Sequence, residues 1–173
     1  MTTEVRLPSY PPQQCCCMAV AFEYITGVKR NCVINHSKYQ IEQGGLNWKL
    51  FVDIAADLGY PTKILYTTEA VGDSEEEEFG ELVEQDDLIK RISEHPSIVA
   101  ERNQHDVMGK KFTTEHALAY VGELQLDPAF GSHYPNSKRK IIGAILFPNL
   151  AVEDSMGHIE RMSAEHKERR GGG

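Results

Sequence analysis

Three adjacent cysteines, Cys15, Cys16 and Cys17, open the first apolar run of the chain. A histidine follows about a hundred residues later, in Glu115-His116-Ala117-Leu118-Ala119-Tyr120, and Asp127 stands eleven residues beyond it in Leu126-Asp127-Pro128. These residue types can carry out nucleophilic attack on a carbonyl. A thiol attacks well only as a thiolate. A free cysteine has a pKa of about 8.5, and a helix N-terminus with a nearby imidazolium lowers it strongly. A carboxylate then holds one imidazole nitrogen so that the other faces the sulfur.

Whether His116 and Asp127 can meet is a question of register. Gly122-Glu123 suits a two-residue hairpin loop. Val121 then pairs with Leu124, Ala119 with Leu126 and Leu118 with Asp127. Side chains alternate along a strand, so His116 shares a face with Leu118. Asp127 becomes its diagonal neighbour, roughly 5 to 8 Å away between β-carbons. A slip of one residue in either strand would put the two on opposite faces.

The elements that must position these groups follow from periodicity. Pro8, Pro11 and Pro12 resist helix, so residues 1 to 14 read as extended. Met18, Phe22 and Ile25 lie at helical spacing with Ala19 and Ala21 alongside, and Gly27 suits a C-terminal cap, which predicts a buried helix from Cys15 to Thr26. Residues 28 to 45 read as loop with room for a short helix. A second helix follows Asn47, with the stripe Phe51, Ile54, Ala55 and Leu58, and stops at Gly59. Lys63 to Tyr66 reads as a strand. Residues 67 to 81 read as a loop with a solvated run, Glu75 to Glu78. A third helix points Leu88, Ile89 and Ile92 inward and ends at His95-Pro96. Ser97 to Ala100 reads as a strand, 102 to 114 as polar loop, 129 to 139 as loop, and Ile141 to Phe147 as a last strand. The expected fold class is α+β, with N-terminal helices packed on a C-terminal antiparallel sheet. Residues 1 to 150 form one domain, and 151 to 173 read as a weakly ordered polar tail.

Composition narrows the alternatives. A chain of 173 residues with 40% apolar residues suits one domain with one core. A net charge of −8 argues against general nucleic-acid binding, which needs a basic stripe. No apolar run approaches the roughly 18 to 20 residues of a membrane helix, and Met1 to Arg6 lack a signal-peptide pattern, so the expected location is cytoplasmic. Vicinal disulfides are strained and only Cys32 remains as a partner, so reduced thiols are expected. Cys15, Cys17, Cys32 and His36 are ligand types for zinc, but no Cys-x-x-Cys spacing joins them. No cofactor motif is present.

The same residues resemble a known family. Cys15-Cys16-Cys17-Met18-Ala19-Val20-Ala21-Phe22 is similar to the start of the central helix in the double-glycine (bacteriocin-processing) peptidase-like family of papain-like cysteine peptidases. Gly45-Leu46-Asn47-Trp48 through Ala56-Asp57-Leu58-Gly59-Tyr60 resembles that family's second segment. His116-Ala117-Leu118 and Leu126-Asp127-Pro128 resemble its His and Asp-Pro motifs. The resemblance covers residues 13 to about 147. It implies a papain-like fold, with Cys15 as nucleophile, His116 as general base and acid, and Asp127 as orienter. The chain departs from the family in having Cys16 where a glycine is usual, which leaves the nucleophile open between Cys15 and Cys16. The family's oxyanion glutamine usually lies about six residues before the cysteine, where this chain has Ser9; Gln13 and Gln14 sit closer than usual, and Gln13 is taken as the candidate. The His-to-Asp spacing is short, so the hairpin must be tight.

The expected function is therefore a cysteine peptidase or related amide hydrolase acting on a peptide or protein substrate through a thioester acyl-enzyme. Two readings compete with it. One is a transglutaminase-like acyltransferase on the same scaffold, and the other is a papain-fold binding module without catalysis.

Overall fold

The computed structural model describes residues 4–9, 17–38, 48–68, 80–133 and 140–171. Among these, three helices come first: α1 (Cys17–Thr26), α2 (Arg30–Ile34) and α3 (Trp48–Asp57). Strands β1 (Lys63–Tyr66) and β2 (Glu81–Leu82) lead to α4 (Gln85–Glu94). Then come β3 (Ser97–Val107), β4 (Lys110–Val121), β5 (Leu124–Asp127), β6 (Ser132–His133), β7 (Lys140–Leu146) and a last helix, α5 (Val152–Gly171).

The fold is α+β. Its seven strands form one sheet in the order β2-β1-β7-β3-β4-β5-β6. All neighbours are antiparallel except β1 and β2, which run parallel. The expected purely antiparallel C-terminal sheet is thus corrected to a mixed one. The first half of the chain contributes β1 and β2, and β1 docks on β7 through Lys63 to Tyr66.

α1 is apolar almost all round, and such a helix is buried. Met18 through Thr26 are all buried. It packs on β4, β3, α2 and α5. Phe22 stands at its centre, edge-on to Phe51 and Tyr60 and stacked on Phe147, with ring centroids 5.4 to 5.8 Å apart. Gly27, at φ +80°, ends the helix, and its N–H reaches the Glu23 carbonyl at 2.8 Å. A second apolar cluster lies around α4, where Leu88 and Ile92 meet Leu65, Val99, Leu118 and Tyr120. Ile89 does not join them. It is 44% exposed, because one residue on from Leu88 turns about 100° around the helix.

Two further expectations are corrected. The polar stretch 102 to 114 is not a loop. β3 and β4 pair without interruption from Ser97↔Tyr120 to Val107↔Lys110. Met108 and Gly109 turn the hairpin at φ 55° and 78°, the double left-handed conformation of a two-residue turn. Nor is the C-terminal stretch weakly ordered. α5 covers Val152 to Gly171 and fully buries Ile159 and Ser155. The Ser155 hydroxyl donates to the Ile25 carbonyl of α1 at 2.7 Å. Glu153 and Asp154 in the first turn, with Arg169 and Arg170 in the last, complement the helix dipole.

Candidate active site

The hairpin that carries the histidine and the acid has the expected register. Ala119 pairs with Leu126, Tyr120 with Gln125 and Val121 with Leu124, around Gly122 at φ 63°. His116 and Asp127 meet. The His116 Nε2–H donates to Asp127 Oδ1 at 2.6 Å. Asp127 is 1% exposed, and burial of a carboxylate needs donors. Besides the imidazole, the Ala129 N–H donates to the same Oδ1 at 2.9 Å, while the N–H groups of Phe130 and Gly131 bond the Asp127 carbonyl. The Asp-Pro turn therefore fixes the carboxylate by its own backbone as well as by the ring.

Cys17 lies close enough to His116 for its sulfur to help raise the pKa of the ring. With Nε2 committed to Asp127, Nδ1 is the nitrogen left for the sulfur. Cys17 is the first described residue of α1 and is a free, partly buried thiol. Gln13 and Cys15, on which the sequence analysis places the oxyanion donor and the nucleophile, lie outside the described residues, as does Cys16. The described cysteine that meets the histidine is the third of the run. The signal for it is in the periodicity: the helical stripe begins at Met18, so the residue just before that stripe stands in the first turn.

The electrostatics favour a charged ring. Burial alone pushes the His116 pKa down. Hydrogen bonds to Asp127 and Cys17, and the charges of both groups, override it and raise the pKa to about 9. The ring is thus an imidazolium at neutral pH. Across the ladder from His116 sits Glu101, a buried carboxylate that accepts from the Tyr120 hydroxyl at 2.8 Å.

A second group of polar residues, unmarked by any motif, surrounds the start of the chain. Tyr24 of α1 donates its hydroxyl to the Pro8 carbonyl at 2.7 Å. Burial pushes that hydroxyl far above the usual phenol range, with the nearby charges of Glu23 and Asp127 adding to the effect against that of Arg30. Arg30 forms a 2.6 Å ion pair with Glu23 and reaches the carbonyls of Pro8 and Ser9 at 2.8 and 3.0 Å.

Of the rival metal set, Cys15 lies outside the described residues, and the other three do not converge. His36 pairs with Asp57 at 3.3 Å and Cys32 is exposed. Among the described residues no three His, Cys, Asp or Glu side chains converge as ligands. No helix of the described residues is long and apolar enough to cross a membrane.

Compared with known proteins, the chain matches no family model, no curated protein and no solved structure.

Proposed function

We propose that this protein is a thiol hydrolase of cysteine-peptidase type, with a papain-like arrangement of helix and sheet, in which Cys17 is the nucleophile, His116 the general acid and base, and Asp127 the orienting carboxylate. The observation that carries the reading is the chain Cys17–His116–Asp127, in which one ring stands between a thiol on α1 and a buried carboxylate.

The raised His116 pKa sets the order of proton transfers. The ring keeps its proton at neutral pH and has it ready for the leaving amine, while the nucleophile reacts as thiolate. The sulfur attacks the carbonyl carbon of a peptide amide, forming a C–S bond and an oxyanion. First-turn N–H groups at the start of α1 point toward the N-terminal end of the helix and supply stabilising dipoles there. The intermediate collapses as the C–N bond breaks, and His116 gives its proton to the leaving amine. The ring, now neutral, takes a proton from water as the water attacks the thioester. The acid departs, and the thiolate and imidazolium return. Asp127 holds the ring throughout. Free thiols at Cys17 and Cys32 suit a reducing compartment, and we place the protein in the cytoplasm on that ground.

The test is cleavage of a mixed peptide pool followed by mass spectrometry, in water enriched in heavy oxygen. Wild type should release new carboxyl ends carrying the heavy label, and Cys17→Ser should release none, while Cys15→Ser and Cys16→Ser remain active. Products joined to an added amine in place of the label would assign acyl transfer. No cleavage by wild type, with peptide still bound, would leave a binding module.

A further inference from the structure

We infer that residues 4–9 form a strap that sets the approach of Cys17 to the His116–Asp127 pair, with Arg30 and Tyr24 as its positioning residues. The inference rests on the thiol-hydrolase reading of the site and adds the device that holds its two halves together.

The two halves come from different parts of the chain. Cys17 is on α1, while His116 and Asp127 are on the β4–β5 hairpin. The strap touches both. On the sheet side it lies against the turn that carries Asp127: the Leu7 N–H donates to the Gly131 carbonyl at 2.6 Å, and Arg6 bridges Ser132. The Gly131 N–H in turn donates to the Asp127 carbonyl. The approach is so close that a β-carbon on Gly131 would fall 1.9 Å from the Leu7 oxygen, and Gly131 is also at φ +70°. Only glycine fits there.

On the helix side the strap is held by its carbonyls. Its last described residues, Pro8 and Ser9, offer carbonyls that side-chain donors bind. Arg30 provides a planar fork to the consecutive carbonyls of Pro8 and Ser9, and its Nε is anchored by Glu23. Tyr24 adds a second donor to Pro8. Tyr24 lies seven residues after Cys17, two helical turns, and so on the same stripe of α1. Farther back, the Arg6 N–H donates to Ser163 and Lys167 reaches the Glu4 carbonyl, both on α5. Leu7 is 2% exposed and sits in the main core. One short segment thus ties α1, α2, α5 and the Asp127 turn together, and so links the helix that carries the thiol to the turn that carries the carboxylate.

The test reads the His116 ring directly. The titratable groups around that ring are Cys17 from α1, Asp127 from β5 and Glu101 from β3, with Tyr24 near Asp127. NMR titration of the His116 imidazole in the full chain should give a midpoint near 9 for wild type. Arg30→Lys keeps the charge beside Glu23 but loses the two-carbonyl fork, and Tyr24→Phe loses one hydroxyl. In each the midpoint should fall by about one pH unit or more, and alkylation of Cys17 at pH 6 should slow about tenfold. Ile159→Ala, a core change on the outer helix, serves as a control that lowers the melting temperature without moving the midpoint. If Arg30→Lys and Tyr24→Phe behave as that control does, the strap is overturned. If they move the midpoint while wild-type Cys17 reacts no faster than Cys32, the strap stands and the hydrolase reading falls.

Discussion

His116 is hydrogen-bonded to a buried carboxylate and neighbours a thiol, and the two together decide its protonation. An isolated imidazole of this burial would be neutral at pH 7. Here the ring is charged up to about pH 9. In the proposed mechanism its first duty is therefore as an acid, and the pH profile should say so. On the proposed hydrolase reading the protonated ring is the active form, which is lost as pH rises through 9. For any peptide that the enzyme cleaves, kcat/KM should decline above about pH 9, by about tenfold per pH unit. Asp127→Asn removes one of the charges that hold the proton, so the decline should begin at lower pH. Activity that keeps rising to pH 10 would mean a neutral histidine acting first as base. The contact between His116 and Asp127 was legible in the sequence because a two-residue loop and strict alternation leave one register. Cys17 was harder to see, since three adjacent cysteines look alike until the start of the helical stripe at Met18 is taken as the marker.

Elements with a clean period were legible, and elements whose apolar stripe is broken by polar residues were not. α3 shows its stripe openly at Phe51, Ile54 and Ala55, and these three are fully buried. α5 does not. Its inward face is Val152, Ser155, Ile159 and Ser163, and two of these are serines. Their hydroxyls are satisfied by the Ile25 carbonyl and the Arg6 N–H, so the polar atoms are buried with partners. Only the fold supplies those partners, so composition alone reads the segment as a solvated tail. The β3–β4 hairpin was hidden for another reason: Met108 occupies a left-handed turn position where Asn or Gly is usual. If α5 is integral, Ile159→Ala should cost about 2 to 4 kcal/mol, which for a chain of this length lowers the melting temperature by roughly 5 to 15 °C. An unchanged melting curve would return the segment to the status of a tail.

At the scale of the whole molecule, the sheet gathers parts that are far apart in sequence. α1 begins the described helices and β5 lies more than a hundred residues later, yet Cys17 and Asp127 share one imidazole. The core around Phe22 fixes α1 on the sheet, and the strap fixes its end. The order of the motifs announced this convergence. The mixed sheet did not announce itself: β1 was legible at its observed bounds, but its parallel partner β2 is two residues long and begins at the end of a stretch that reads as loop. The most direct measurement of the central claim is reaction of the native protein with limiting iodoacetamide between pH 5 and 7, mapped by mass spectrometry beside His116→Ala. The account predicts fast, selective labelling of Cys17 at pH 6, slowed about a hundredfold in the variant. Slow labelling spread over several cysteines, or labelling indifferent to His116, would contradict it.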